Sequence, residues 1–533
     1  VKSILILGAG VMQVPGIRIA KRKGWRVIVA DGNPHALARD LADRFEAVDL
    51  KDKEALLAVA RGCAANGGLD GVFTAGTDFS SSVAWVAERM NLPGVPYETA
   101  MRATDKCLMR EAFEKAGVPS PRFACWNGQG EPRSLLGSGL DFPLVVKPVD
   151  NMGARGVLRV DDETALSEAC AKARSLSRSS RVIVEQFMEG SEFSLDAVVD
   201  HAKVTVCGIA DRHIFFPPSF VEMGHTIPTE ADRSTVGSLE KVFAAGIRAL
   251  GIDCGAAKGD IKLTPHGPMI GEIAARLSGG YMSGWTFPLS SGVEVTEAAL
   301  DIAVGLTPHD LRPRFERVCA ERAIISIPGT VEVVEGAEAA RMVPGIEEVF
   351  LRTVPGDDVV FPANNVQKCG NIIAVGEDRE EAISATMAGL AAIWIRLKPL
   401  TDKTSRYLFR ETGNDAFARV EAGLLRRVGA LPPFRGDPTR FSPDGRILVE
   451  LLPEAQNSPA EDWYRMGLPR AAEVALRRGG GELVAGPIEN QFVLSGLFWH
   501  AILRGSAQAG AYLLQSVREA AHRRSLQEFL TGI

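Results

Sequence analysis

Asp260 and Glu272 stand twelve residues apart in two stretches that read as consecutive strands, Lys258-Gly-Asp-Ile-Lys-Leu263 and Met269-Ile-Gly-Glu-Ile-Ala-Ala-Arg276. The polar turn Thr264-Pro-His-Gly-Pro268 between them completes a hairpin pattern. Such a hairpin can aim both acids at one point. Unpaired carboxylates in a strand interior are costly to bury. Two oxygen ligands that hold Mg²⁺ between them and bridge it to nucleotide phosphates offset that cost. A solvated hairpin face is the plain alternative, and the two acids alone do not choose.

Residues upstream tip the balance. Lys147 comes near the end of the apolar run Phe142-Pro-Leu-Val-Val-Lys-Pro148, which holds an ammonium at a fixed place, and a buried lysine needs an anion. The stretch Asp150-Asn-Met-Gly-Ala-Arg-Gly156 follows. It is a loop with no bulky branched residue, able to present main-chain N–H groups to phosphate oxygens. It lacks the Gly-Lys-Ser/Thr of a Walker loop. Further on, a β-branched strand ends in Glu185-Gln-Phe187, and Gly190 breaks it before a second strand begins with Glu192. An extended backbone there could hydrogen-bond an adenine edge. Phe187 and Met188 would offer apolar faces, and Glu192 could accept from ribose hydroxyls. An edge strand with solvated acids is the competing reading.

The elements that must position these groups form an alternation. Ser3–Leu7 reads as a strand, Gly16–Lys23 as a helix, Trp25–Ala30 as a strand, Lys53–Cys63 as a helix, and Gly71–Thr74 with Ser81–Met90 repeats the pair. That order means a parallel, doubly wound sheet. Gly8-Ala-Gly10 after the first strand and Asp31 after the second invite a dinucleotide-binding reading, but Gln13 stands where the third glycine belongs. A tight turn is the better account. Thr77-Asp78 lies at a strand's C-terminal end, as a helix cap or a pocket lining. Thr104-Asp-Lys106 opens a helix that stops at Gly117. Helices are also expected at Asp162–Ser175, Leu239–Leu250, Asp415–Val428, Pro469–Arg478 and Gly510–Arg524.

The order of these parts resembles the ATP-grasp family. It runs from an Asp-Lys helix opening through a Val-Val-Lys-Pro strand, a glycine loop and Val-Glu-x-Phe-x-x-Gly-x-Glu to paired acids and an Arg-x-Ser-Gly-Gly turn. The likeness covers roughly residues 1–400 and implies an α/β ATP-grasp fold. Its parts would be a Rossmann-like domain over 1–105, a linker helix and mobile lid over 106–190, and a metal-bearing subdomain over 191–400. An extra C-terminal domain over 401–533 would follow. The resemblance implies ATP and Mg²⁺ as cofactors. It makes Lys106 and Lys147 the phosphate-facing lysines, and Asn151, Gly153, Ala154 and Gly156 the lid loop. Glu185, Gln186 and Phe187 become the adenine hinge, and Glu192 the ribose acceptor. Asp260 and Glu272 become the metal ligands, and Arg276, with Lys258 nearby, the cation beside the transferred phosphoryl. Most members carry a third, asparagine ligand where this chain has Ala274, which puts a two-metal site in doubt. The string Glu272-Ile-Ala-Ala-Arg276 is similar to bacterial L-amino-acid ligases, as is Pro218-Ser-Phe-Val-Glu-Met-Gly-His-Thr-Ile-Pro228. In that segment Glu222 could meet an ammonium and His225 a carboxylate or tetrahedral oxygen; a structural histidine is the alternative. Gly370–Gly376 and the helix after it resemble the closing elements of the biotin-carboxylase-like branch.

The implied activity is an ATP-dependent carboxylate–amine ligase working through an acyl phosphate, with small carboxylates and amines, amino acids among them, as substrates. Three rivals stand beside it. They are a carboxylase component phosphorylating bicarbonate, an inactive ATP-binding subunit, and a nicotinamide-dependent oxidoreductase that takes the first glycine turn literally. No Ser/His/Asp or Cys/His set competes. A net charge of −6 gives no case for nucleic acid or an anionic membrane, and no apolar run reaches spanning length. The opening residues read as a buried strand rather than a secretion signal. Eight scattered cysteines without metal-ligand spacing fit a reducing cytoplasm. Residues after about 400 resemble nothing nameable. A homodimer interface, a substrate-selecting cover and a partner-docking domain all stay open for them.

Overall fold

Five consecutive buried residues, Ser3–Leu7, form the centre of a small parallel sheet. They pair with Arg26–Asp31 on one side and Gly71–Phe73 on the other, and Arg44–Ala47 completes the order outside Arg26–Asp31. Continuous apolar strands of this kind are covered on both faces. Here Val14–Arg22 supplies Ile17 and Ala20 to one core, and Lys53–Ala65 supplies Leu56 and Ala60 to the other. The computed structural model describes residues 1–413, 415–486 and 491–533. Its contacts divide the chain into two units: Val1–Arg322 with Ala363–Asn365 and Ile373–Ala382, and Ala323–Pro362 with Val366–Ile372 and Ile383–Ile533.

Within the first unit, the helix Lys106–Ala116 begins at a side-chain cap. Asp105 Oδ1 accepts from the N–H groups of Cys107 and Leu108, and Gly117 closes the other end in the left-handed conformation. Next comes a four-stranded antiparallel sheet in the order Phe123–Trp126, Val182–Gln186, Leu144–Pro148, Leu158–Val160. Glu163–Leu176 packs on it through Leu166, Ala169 and Ala173. Val182–Gln186 is therefore an interior strand, paired on both sides. Two cysteines that are scattered in sequence meet here: Cys107 and Cys125 form a disulfide, with Cα atoms 6.2 Å apart. That corrects the expectation of thiols throughout.

The larger sheet of this unit runs Gly267–Ala274, Gly255–Thr264, Ser191–Asp200, Lys203–Phe215, Val221–Ile227, Val318–Ile324, each antiparallel to the next. The expected hairpin is present. Helix Arg233–Leu250 covers it so closely that a Cβ on Gly259 would lie 2.5 Å from the Phe243 ring.

The second unit holds two more sheets. One has the order Asp358–Val359, Gly329–Glu335, Trp394–Leu397, and the other Phe434–Arg435, Val493–Leu494, Ile447–Glu450, Gly481–Val484. Residues beyond 400 share one core with the first of them, Trp499, Leu513 and Leu514 clustering with Val331 and Leu397. Three expected helices differ in extent. The Asp415–Val428 expectation becomes Ala422–Ala430, Pro469–Arg478 becomes Leu468–Gly479, and Gly510–Arg524 becomes Gly496–His522. The last is broken at Gly505 and at Ser506 (φ 54°), whose hydroxyl donates to Asp462 at 2.5 Å. Among the described residues no helix is long and apolar enough to cross a membrane.

Candidate active site

Lys106 is the first residue of its helix, and the Asp105 cap fixes its backbone there. Its ammonium donates to Asn151 O at 2.9 Å and stands 3.5 Å from Glu272 Oε1. Arg110, one turn later on the same face and fully buried, lies 2.9 Å from Glu185 Oε1 and donates to Gly271 O at 2.6 Å. Lys147 holds the other Glu185 oxygen at 2.7 Å. The register places Val145 opposite Glu185 and Lys147 opposite Ile183, so Lys147 and Glu185 are diagonal neighbours on one face. Burial pushes the Lys147 ammonium below its ordinary range; Arg110 and Lys106 push the same way, and Glu185 resists. Burial would raise the Glu185 carboxyl, but Arg110 and Lys147 outweigh it and hold it low.

The glycine loop beside these lysines has three left-handed residues in four, Gly153 (φ 66°), Ala154 (φ 60°) and Gly156 (φ 76°). Successive residues of opposite hand turn main-chain N–H groups toward one concavity. The Asn151 side chain is already committed, donating to Leu176 O at the end of the helix Glu163–Leu176 and accepting from Met152 N–H. On the adjoining strand Gln186 is likewise committed, to Arg122 and Asp141. The N–H groups of Gln186 and Phe187 are given to Arg122 O and Pro143 O. The next amide outward is that of Met188. The Phe187 ring stacks on Phe220, with the Arg159 guanidinium and the Lys262 ammonium over it.

Asp260 and Glu272 are direct cross-strand partners. Burial would raise the Glu272 carboxyl, but Lys106, Lys258, Lys147 and Arg276 together hold it down at about 2. Asp260 pairs with Lys258 through one oxygen. Its other oxygen, Oδ1, is buried, accepts no hydrogen bond among the described residues, and lies 3.0 Å from Arg212. Two carboxylates facing each other suit a divalent cation that keeps several waters. Ala274 adds no ligand. Arg276 donates through Nε to Thr77 O and through Nη1 to Leu277 O.

Sequence reasoning missed Arg212. It is nearly buried and binds three carboxylates that the sequence singles out separately: Glu192 at 2.5 Å, Glu222 at 2.9 Å and Asp260 at 3.0 Å. Burial works against its charge, yet these acids raise its affinity for the proton well above the ordinary value. Its signal was an Asp-Arg pair following the apolar run of one strand, Cys207-Gly-Ile-Ala-Asp-Arg212. Arg110 was missed too, although Lys106 and Arg110 share a face with buried Phe113. His225 is fully buried, its Nε2 2.9 Å from Thr286 Oγ1 and its Nδ1 3.2 Å from Glu321 Oε2. Both ring nitrogens thus face protein groups. Asp78 caps no helix: it pairs with Arg155 of the glycine loop at 3.7 Å and with Arg178.

The dinucleotide reading of the N-terminus meets two obstructions. Ala9 N–H takes Asp31 Oδ2 at 2.7 Å, and the Gln13 side chain fills the glycine turn, 3.0 Å from where a Gly8 Cβ would stand. Gln13 Nε2 is itself spent on Ala75 O.

Three family models match the chain. Residues 17–94 match the ATP-grasp N-terminal domain, 140–284 the ATP-grasp domain, and 322–398 the L-amino acid ligase C-terminal domain 2. Residues 140–284 thus form an ATP-grasp domain, preceded by an ATP-grasp N-terminal domain and followed by an L-amino acid ligase C-terminal domain 2. Among solved structures it is similar to an L-amino acid ligase from Bacillus licheniformis, at 25% identity and a TM-score of 0.65, covering 75% of this chain and 99% of that one. Protein y4rH of Sinorhizobium fredii is 25% identical over 72% of this chain and 81% of its own length. The carbamoyl phosphate synthase large chain of Pasteurella multocida is 22% identical over 73% of this chain, which spans only 37% of that protein.

Proposed function

We propose that the protein joins a carboxylate to an amine at the expense of ATP, with amino acids as the substrate class. The observation that carries this reading is the pairing of Asp260 with Glu272 in one register while three lysines and Arg276 converge on Glu272. Carboxylates and cations gathered in this way suit a polyanionic phosphate chain with its metal. The likeness to an L-amino acid ligase and the matched C-terminal domain favour amino acids.

A carboxylate oxygen attacks the γ-phosphorus of ATP and ADP leaves. The amine nitrogen then attacks the acyl carbon, phosphate departs, and the nitrogen loses a proton. Phosphoryl transfer asks the protein chiefly for position and charge neutralisation. Lys106, Lys147 and Arg276 would supply the charge, and the loop around Gly153 would supply N–H donors. Glu192 and Met188 N–H would hold the nucleoside, and Glu222 would meet the amine. Asp260 and Glu272 would hold Mg²⁺, which when bound neutralises phosphate charge. The loop over the site would keep water from the acyl phosphate.

The test is ADP release with Mg²⁺ and ATP over the twenty amino acids, singly and in pairs, with bicarbonate as a separate arm. Release that needs an amine together with a carboxylate supports the ligase. Bicarbonate dependence without an amine would replace it with a carboxylase, and ATP affinity without turnover would leave a binding subunit.

A further inference from the structure

Asn365 stands where the glycine loop meets the Glu222 strand. Its main-chain N–H donates to Gly153 O at 3.0 Å, and its side-chain Oδ1 accepts the main-chain N–H of Glu222 at 2.8 Å. Only the short segment Ala363–Asn365 of its neighbourhood packs with this unit. The strand Val221–Ile227 explains why a side chain does this work. Its ladder with Val318–Ile324 begins at Gly224 opposite Arg322, and its ladder with Lys203–Phe215 is irregular between His213 and Ile214. Glu222 still pairs with Ile214 but lies past the end of the ladder with Val318–Ile324, and Asn365 Oδ1 takes the place of a strand acceptor. A second link runs between their neighbours in the chain, Arg159 N–H of the strand Leu158–Val160 donating to Pro218 O at 2.9 Å.

We propose that Asn365 is a positioning residue that makes the seating of the glycine loop and the aim of the Glu222 carboxylate one event. The inference rests on the reading above, in which the loop holds phosphates and Glu222 faces the amine. Phosphates that order the loop fix Gly153 O. Gly153 O holds Asn365, and Asn365 holds the Glu222 backbone, whose carboxylate is already set against Arg212. The amine subsite is thus completed only when the loop is seated, so an acyl phosphate does not form beside an unfinished acceptor site. Asn365 falls within residues 322–398, the part that matches the L-amino acid ligase C-terminal domain 2.

Hydrogen exchange followed by mass spectrometry on the full chain, with and without MgADP, tests this in wild type, Asn365→Ala and Asn365→Asp. In wild type, MgADP slows exchange in peptides covering 151–157 and 218–228 together. In Asn365→Ala the first protection stays and the second is lost, with the Glu222 amide exchanging roughly fivefold faster, the effect of one removed hydrogen bond. Asn365→Asp keeps an acceptor oxygen and behaves as wild type. Undiminished protection of 218–228 in Asn365→Ala overturns the coupling, as does an Asp variant that matches Ala. Protection confined to 151–157 in wild type also overturns it, while leaving the nucleotide reading intact. Absence of any MgADP protection at 151–157 in wild type overturns the nucleotide reading and the clasp with it.

Discussion

Glu272 is the residue on which the charges of the site converge. Replacing its carboxylate by an amide keeps the shape and removes the charge that faces Lys106 and Lys258. Glu272→Gln is expected to lower ADP release by at least about a hundredfold and to lower the thermal midpoint at neutral pH, where the ionised carboxylate stabilises the fold; full activity in that variant would remove the metal assignment. Arg212 poses the opposite case, because its loss strands three buried acids at once. Breaking a buried pair costs about 3–5 kcal/mol, and Arg212→Met is expected to fall in or above that range in urea denaturation. A change near zero would show the acids to be neutralised by Lys258 and Lys262 alone. Lys147, Glu192 and both hairpin acids were legible as residue types out of place in apolar strands. Their partners were not: Glu185 reads as a hinge residue, yet its side chain lies between Lys147 and Arg110.

At the scale of elements, helices with a cap and a stop were read closely. Lys106–Ala116 has Asp105 before it and Gly117 after it, and both do the expected work. The helix Gly496–His522 starts fourteen residues before the expected Gly510, because it is apolar on nearly all sides and shows no periodicity to follow. Gly190 offers a sharp test of the strand break. It has φ 133°, and a Cβ there would lie 1.9 Å from Leu263 O. Gly190→Ala is expected to cost more than the strain of its dihedral, about 1–3 kcal/mol. Gly267→Ala, with φ 100° and open space around it, should pay the strain alone. Equal denaturation midpoints for the two would refute the clash.

Across the whole molecule, buried carboxyls set the response to pH. Burial raises Asp196 in the first unit to about 6 against the opposing hydrogen bonds from Ser278, and raises Asp462 in the second to about 6 despite its bond from Ser506. A raised acid binds its proton more tightly when folded, so each contributes stability that declines as pH climbs from the unfolded value of 3.8 to about 6. Glu272 works the other way. Its carboxyl is depressed from 4.5 to about 2, so its contribution is present above 4.5 and is lost as pH falls toward 2. Thermal melts between pH 4 and 7 should show a slope that flattens in Asp196→Asn. An unchanged slope would mean that Asp196 is ionised in the fold. The grouping of residues beyond 400 with the strands Gly329–Glu335 and Trp394–Leu397 was invisible to sequence reading, since contacts so distant in the chain leave no local pattern.

What the sequence determined by itself was the inventory and its order: alternating strand and helix signals, lysines in apolar strands, a glycine loop, and two acids on one hairpin. These are local properties, carried by periodicity, caps and breaks. Whether the two acids could share an ion was decided only in three dimensions. Thr264 pairs with Gly267 and Ile261 with Ile270, a register that if continued would place Asp260 opposite Gly271 and turn Glu272 to the other face. The ladder shifts between Asp260 and Ile261, so that Asp260 meets Glu272. One extra residue in one strand reverses the facing of every side chain beyond it. That shift, and the convergence of Lys106, Lys147 and Arg276 from separate elements, depend on packing between parts that no stretch of sequence contains together.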